Sequence, residues 1–229
     1  MSPISPILSV LRSVRYGAAL VVLNLSLAFG APAVADPQRL VALGDSLTQG
    51  YGLPEGDGFV PQLARWLADQ GRDVVINNAG VSGDTTAGGL SRLDWTLAEP
   101  ADAMIVTLGG NDVLRGLDPA VSRANLDAIL AKAGERQLPV LLVAMDAPGN
   151  YGPDYRQQFD AIYPELAATH GVLLAPSFLS PLREGGDDAA TMQKYLQADG
   201  IHPNREGVAR IVATLGPRVI ELLDQARGQ

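Results

Sequence analysis

The chain has 229 residues, a net charge of −8 at pH 7 and no cysteine. The lack of cysteine excludes disulfides, a catalytic thiol and thiolate metal sites, and the acidic balance disfavours nucleic acid and anionic membranes as partners. Hydrophobic residues make up 47% of the chain, which suffices for the core of one domain.

The first 35 residues have the pattern of an export signal. Arg12 and Arg15 form a basic region, the apolar stretch 17–29 follows, and Ala-Val-Ala at 33–35 matches a signal-peptidase site. The apolar stretch is shorter than the roughly 18 residues that a membrane span needs. We therefore predict that these 35 residues are cleaved, that 36–229 form the folded domain, and that the protein is periplasmic or secreted without a stable membrane anchor.

Five apolar segments recur about every 30 residues and are predicted to be strands. Their continuous apolar character is typical of parallel strands that are covered on both faces. The segments are 39–44, 73–77, 102–108, 139–145 and 172–175.

Between the strands, apolar residues recur every three or four positions, which predicts helices. Trp66 and Trp95 lie on such apolar stripes and are predicted to belong to the core. The alternation of strand and helix predicts an α/β fold with a parallel sheet. The helical segments are 59–67, 86–97, 120–136, 154–169 and 206–226.

Residues capable of chemistry follow three consecutive predicted strands. Ser46 follows the first strand, Gly80 lies in a loop after the second, and Asn111 follows the third. Each of these residue types is common in turns. Because the ligand site of an open parallel sheet lies beyond the carboxyl ends of its strands, the three together predict a site at one edge.

A serine nucleophile needs a base and a group that orients the base, and the chain has two histidines. His170 ends a helical pattern before Gly171, which is typical of a structural position. His202 follows Asp199 by three residues in a polar turn, so Asp199 could accept from one ring nitrogen while the other faces Ser46. The alternative is that Asp199 and His202 only form a helix-capping turn.

Other polar residues near these positions are interpreted more simply. Asp45 is predicted to hydrogen-bond the neighbouring backbone rather than to act as a second acid, and Asp112 to be a helix cap or a loop brace. The loop 146–155 is rich in Gly and Pro, and its Tyr151 and Tyr155 are suited to an acyl or aromatic group. We therefore predict that this loop forms a wall of the substrate site.

Four motifs resemble, in order, the sequence blocks of the SGNH or GDSL hydrolase superfamily: GDSLTQG at 44–50, Gly80, GGND at 109–112 and DGIHPN at 199–204. The longer strings LVALGDSLTQGYGL and NNAGVSGDTTAGG are similar to one branch of that superfamily. Members of this branch are periplasmic esterases that act as thioesterase I, lysophospholipase L1 and arylesterase.

This resemblance implies a flavodoxin-like three-layer α/β/α fold with a central five-stranded parallel sheet, and no metal or organic cofactor. It implies that Ser46 is the nucleophile, His202 the base and later the acid, and Asp199 its orienting partner. The oxyanion hole would consist of the backbone N–H groups of Ser46 and Gly80 and the side-chain amide of Asn111. The implied substrates are small-molecule acyl esters and thioesters, such as aryl esters, acyl-CoA and lysophospholipids, cleaved through an acyl-enzyme.

Three alternatives compete with this interpretation. A carbohydrate deacetylase of the same superfamily would use the same chemistry. A non-catalytic periplasmic binding protein would leave the pairing of Asp199 and His202 unexplained, and no Gly-rich phosphate loop follows the first strand. A metal hydrolase would depend on carboxylates almost alone, because the chain has two histidines and no His-Glu motif.

Overall fold

A five-stranded parallel sheet organises the computed structural model, which describes residues 36–183 and 192–228. The predicted signal peptide therefore lies outside the described residues. Among those residues, the helices are too short or too polar to cross a bilayer. The strands are β1 (Gln38–Gly44), β2 (Val74–Gly80), β3 (Ala103–Thr107), β4 (Val140–Val143) and β5 (Leu173–Ala175).

The strands are arranged in the order β2-β1-β3-β4-β5, and every neighbouring pair is parallel. This is the flavodoxin-like order of a doubly wound sheet, in which the ligand crevice lies where the order reverses, between β1 and β3. Gly44 of β1 is in register with both Gly80 and Thr107. Strands β2, β1 and β3 therefore end level with one another. The five parallel strands in this order, with helices against the sheet, confirm the predicted flavodoxin-like three-layer α/β/α fold.

Helices cover the sheet on both faces. The longest, α9, packs on α2, whereas α6 packs on α3, α7 and α8. The helices are α1 (Ser46–Gln49), α2 (Phe59–Asp69), α3 (Thr86–Ser91), α4 (Leu93–Thr96), α5 (Gly110–Leu114), α6 (Pro119–Glu135), α7 (Pro153–Asp160), α8 (Ile162–His170) and α9 (Arg205–Arg227), with 3₁₀ turns at Gly149–Tyr151 and Ser180–Leu182.

Two segments predicted as single helices are each divided. The segment 154–169 breaks at Ala161, because Pro164 has no N–H to donate to the carbonyl of Asp160 and its ring crowds that carbonyl. The segment 86–97 breaks at Arg92, whose guanidinium donates to the Asp84 carboxylate at 2.7 Å and to the carbonyl of Gly44 at 2.9 Å.

Two further expectations differ from the structure. Strand β2 extends to Gly80 rather than ending at Asn77, because the turn-type residues after Asn77 stay paired with β1. Trp95 is 80% exposed, so its assignment to the core was wrong. The single turn of α4 buries Leu93, and a residue two positions later projects from the opposite side. Trp66 is half-buried against the core, as predicted.

Candidate active site

Ser46 lies at a sharp turn from strand to helix. Strand β1 ends at Gly44, Asp45 caps α1, and Ser46 is the first residue of that helix. A side chain at position 44 would collide with Thr48 and with the carbonyl of Thr107, so only glycine fits this turn. The turn places the Ser46 hydroxyl at the carboxyl edge of the sheet, with the residue 8% exposed.

Backbone hydrogen bonds hold the turn that carries His202. Leu196 and Pro203 form an antiparallel bridge, and the N–H of Gln197 donates to the carbonyl of His202 at 2.8 Å. The Gln197 side chain also donates to the carbonyl of Tyr51 at 2.8 Å. This last bond ties the turn to the segment that follows Ser46.

The structure brings the three predicted side chains into one hydrogen-bonded line. Ser46 Oγ lies 2.8 Å from Nε2 of His202, and Nδ1 of His202 lies 2.7 Å from Oδ2 of Asp199. The other Asp199 oxygen accepts from the backbone N–H groups of Ile201 at 2.9 Å and His202 at 3.0 Å. A helix-capping turn alone would not require the contact with Ser46.

Hydrogen bonding fixes the charge of Asp199. The bond from the His202 side chain, followed by the N–H of Ile201, lowers the pKa of Asp199 to about 2. An ionised carboxylate only accepts hydrogen bonds, so Nδ1 of His202 carries the proton and donates it. In the neutral imidazole Nε2 is then the acceptor for the Ser46 hydroxyl, which is the arrangement that general-base catalysis needs.

The second histidine has a different setting. His170 ends α8, and its Nε2 lies 2.7 Å from Asp127 of α6. This pair joins two helices and lies outside the cavity beside Ser46. His170 therefore has the structural setting that its position in the sequence predicted.

Tyr51 covers one face of the His202 imidazole, a contact that the sequence did not reveal. The two ring centroids are 4.7 Å apart and the rings are inclined by 39°. The tyrosine itself is 51% exposed. Its ring restricts the orientations of the imidazole and shields it from solvent.

Asn111 occupies the first turn of α5 and faces Asp45. Its Nδ2 donates to Oδ2 of Asp45 at 3.1 Å. An amide nitrogen has two hydrogens, so one remains for a ligand in the cavity, which Asn111 lines.

The next residue, Asp112, is fully buried and accepts from the N–H and hydroxyl of Thr86 at 2.8 and 2.6 Å and from the hydroxyl of Ser122 at 2.9 Å. These bonds fix α5 in place, and the predicted bracing role of Asp112 is confirmed.

Gly80 is placed for packing. A side chain at this position would collide with the backbone of Gln49 in α1 and lie 2.9 Å from the carbonyl of Asp45. The N–H of Gly80 donates to the side-chain oxygen of Asn78 at 3.0 Å. The structure therefore explains the glycine by the close approach of β2 to α1, and the donor that the resemblance assigned to the oxyanion is occupied by Asn78.

A cavity of about 280 Å³ opens beside Ser46. Most of its wall is apolar, as an acyl group requires. One side carries an ion pair between Arg183 and Asp146, at 2.7 Å, which was not predicted from residue spacing. The apolar lining residues are Leu47, Val113, Leu114, Met145, Pro148, Leu179, Met192 and Ile201.

Tyr151 and Tyr155 of the loop 146–155 do not line this cavity. The cavity therefore gives no support to the prediction that they contact the substrate. The hydroxyl of Tyr155 donates to the carbonyl of Leu117 at 2.8 Å, and that of Tyr151 to the carbonyl of Leu114 at 3.4 Å. They brace the segment that follows α5. The loop contributes Asp146 and Pro148 to the wall instead.

Comparisons with known proteins show which family the chain resembles. The sequence profile of the GDSL-like Lipase/Acylhydrolase family matches residues 42–210. Esterase TesA of Pseudomonas aeruginosa is 41% identical over 190 residues, which cover 82% of this chain and 91% of that protein. The thioesterase 1/protease 1/lysophospholipase L1 of Escherichia coli K12 is 37% identical over 174 residues, or 75% of this chain and 78% of that protein.

A solved structure shows the same fold. The crystal structure of TesA aligns with a TM-score of 0.73 and 39% sequence identity, covering 81% of this chain and 99% of that one. The family profile spans both the strand-to-helix turn of Ser46 and the turn of His202. The chain therefore belongs to the GDSL-like lipase/acylhydrolase family and is a serine hydrolase with esterase relatives.

Proposed function

We propose that the protein hydrolyses acyl esters and thioesters through a covalent acyl-enzyme formed on Ser46. The observation that carries this proposal is the line from Ser46 through His202 to Asp199, with contacts of 2.8 and 2.7 Å, at the mouth of an apolar cavity. A nucleophile, a base and an orienting group in hydrogen-bond contact are the minimum for acyl transfer by serine.

Acylation begins when Nε2 of His202 takes the proton of the Ser46 hydroxyl as Oγ attacks the carbonyl carbon. The imidazolium that forms is stabilised by the ionised Asp199. Collapse of the tetrahedral intermediate breaks the bond to the leaving oxygen or sulfur, which receives the proton from Nε2. Water then attacks the acyl-enzyme in the same way, which releases the acid and restores Ser46 and His202.

The tetrahedral intermediate carries negative charge on one oxygen, and two donors suit it. The N–H of Ser46 lies in the first turn of α1, where helix geometry leaves such groups without an intrahelical acceptor. The second donor is the remaining amide hydrogen of Asn111. Donors that are fixed before the reaction stabilise the developing charge without reorganisation.

The loop after β2 is held close to α5 by a hydrogen bond. Because Gly80 donates to Asn78, we leave its N–H out of the hole. Gly83 in the same loop has a φ of 83°, a conformation that favours glycine. Its carbonyl accepts from Arg115 at 2.7 Å, which links the loop to the end of α5.

The acyl group of the substrate occupies the apolar cavity, and the leaving group faces its open side. An apolar wall contributes binding free energy in proportion to the buried apolar surface of the acyl chain, so chains longer than acetyl gain affinity. The activities for which the relatives are named, those of an esterase and of a thioesterase/lysophospholipase, support both ester and thioester substrates. The export pattern of residues 1–35 supports a periplasmic or secreted location.

A substrate panel tests this proposal. Purified protein and its Ser46→Ala variant are assayed with p-nitrophenyl esters of increasing chain length, acyl-CoA thioesters, lysophosphatidylcholine and acetylated xylo-oligosaccharides. We expect Ser46-dependent hydrolysis of esters and thioesters, with kcat/KM higher for a six-carbon chain than for acetyl. Hydrolysis restricted to the acetylated sugar would contradict the proposal and identify a carbohydrate deacetylase.

A further inference from the structure

Asp45 is a buried carboxylate that the mechanism above does not use. Its side chain is 1% exposed and lines the cavity beside Ser46. Oδ1 accepts from the backbone N–H of Leu47 at 3.0 Å, and Oδ2 accepts from Nδ2 of Asn111 at 3.1 Å. One carboxylate thus joins the helix that carries the nucleophile to the amide that faces the cavity.

We propose that Asp45 is a positioning residue that holds the side-chain amide of Asn111 with its nitrogen, not its oxygen, available to the reacting carbonyl oxygen. This role rests on the proposed acyl transfer, in which Asn111 donates to the oxyanion.

The argument follows from the shape of an amide. The oxygen and nitrogen of an Asn side chain are nearly equivalent in size, and a rotation by half a turn exchanges a donor for an acceptor. An acceptor directed at an oxyanion would repel it. The ionised carboxylate of Asp45 only accepts hydrogen bonds, so it selects the orientation in which Nδ2 of Asn111 points toward it and presents the second hydrogen to the cavity.

Helix capping alone does not account for Asp45. Asp118 caps α6 in the same manner, with its carboxylate accepting from the N–H of Ala120 at 2.9 Å. That cap begins a helix of 17 residues, whereas Asp45 begins a helix of four. Burial also raises the pKa of Asp45 to about 6, in spite of its hydrogen bonds with Leu47 and Asn111. The fold therefore retains a costly buried carboxylate, one oxygen of which caps α1 while the other accepts from the amide of Asn111.

The test is a double-mutant cycle on kcat. Asp45→Asn preserves the shape of the side chain but replaces one carboxylate oxygen by an NH2 group. That group faces either Nδ2 of Asn111 or the N–H of Leu47, so one of the two hydrogen bonds is lost. We expect Asp45→Asn to lower kcat about a hundredfold, in the range for loss of one oxyanion donor, with KM changed by less than about twofold. In the Asn111→Ala background we expect Asp45→Asn to cause no further fall, because the group through which it acts is gone.

A matched control separates positioning from capping. Asp118→Asn alters an Asp cap that likewise accepts from the N–H two residues on but lies outside the cavity lining, and we expect it to leave kcat unchanged. The proposal would be overturned if Asp45→Asn kept the kcat of the native protein, or if it lowered kcat by the same factor with and without Asn111. Because the Ser46→Ala loss of activity is measured separately, failure here would leave the proposed function intact.

A second measurement does not require the Asp45 variant to fold. In Asn111→Ala, the carboxylate of Asp45 loses a donor that stabilises its charged form, so its pKa should rise above about 6. Carboxyl-carbon NMR titration of the native protein and of Asn111→Ala measures this change. An unaltered pKa would show that the contact with Asn111 does not act on Asp45, which contradicts the proposal.

Discussion

Ser46 Oγ and His202 Nε2 lie 2.8 Å apart although the two residues are 156 positions apart in the chain. The contact forms because β1 delivers Ser46 to the carboxyl edge of the sheet, while the turn before α9 returns the chain to that edge. Gln197 bonds this turn to Tyr51, and the Tyr51 ring packs on the imidazole. The geometry thus depends on contacts beyond the three residues that carry the chemistry.

The first prediction concerns these three residues. We expect Ser46→Ala or His202→Ala to lower kcat by about 10⁴-fold or more, and Asp199→Ala to lower it less, because Asp199 orients the base without contacting the reacting carbonyl. Steady-state kinetics on p-nitrophenyl butyrate measures the effect. His170→Ala is the control, since His170 also pairs with an aspartate; a comparable loss in that variant would contradict the assignment.

The second prediction concerns stability at two glycines. Gly80→Ala places a methyl group against the backbone of α1, so we expect a loss of about 1–3 kcal/mol in the free energy of unfolding. Gly134→Ala lies in α6 with nothing within 4 Å of the added methyl, and we expect a gain of about 0.5–1 kcal/mol. Urea denaturation of both variants measures the difference, and equal effects of the same sign would refute the packing role of Gly80.

The third prediction concerns pH and Asp45. Burial raises its pKa from 3.8 to about 6, so the stability it contributes is complete below pH 4 and is lost as pH rises through about 6. The loss amounts to at most about 3 kcal/mol. Because Asp45→Asn cannot titrate, we expect its Tm relative to that of the native protein to be higher at pH 7 than at pH 4. An equal Tm difference at both pH values would argue against a buried, titrating Asp45.

The fourth prediction concerns the cavity. Leu179 lines it and is half-buried, so Leu179→Trp fills part of the space that an acyl chain would occupy. We expect kcat/KM for octanoyl esters to fall relative to that for acetyl esters. Val121→Trp, at an exposed position of α6, is the control and should leave the ratio unchanged. An unaltered ratio in Leu179→Trp would place the acyl chain elsewhere.

The sheet was predictable because each strand is an almost uninterrupted apolar run between helical patterns. The ends of the elements were less predictable. Asn77 and Asn78 are turn-type residues, yet pairing with β1 keeps them in β2. The apolar stripe that includes Leu93 and Leu97 is regular in the sequence. The helix is nevertheless interrupted at Arg92, and Trp95 is exposed to solvent. Tertiary contacts decided both cases.

The chemistry of the site was predictable in type and only partly in geometry. Ser46, Asp199 and His202 belong to short motifs whose order indicated that they would meet. The bond between Asp45 and Asn111 depends on the relative placement of α1 and α5, and the bond between Gly80 and Asn78 on a side-chain rotamer. Residue spacing predicts neither of these two bonds. Asp45 was therefore expected only to hydrogen-bond the neighbouring backbone, whereas in the structure it also accepts from the side-chain amide of Asn111.

Covalent labelling tests the central claim most directly. The protein is treated with a fluorophosphonate, and the modified peptide is identified by mass spectrometry. We predict one adduct per chain on Ser46, no adduct in Ser46→Ala, and much slower labelling in His202→Ala than in His170→Ala. Labelling at another serine, or equal labelling of Ser46→Ala and the native protein, would contradict the account.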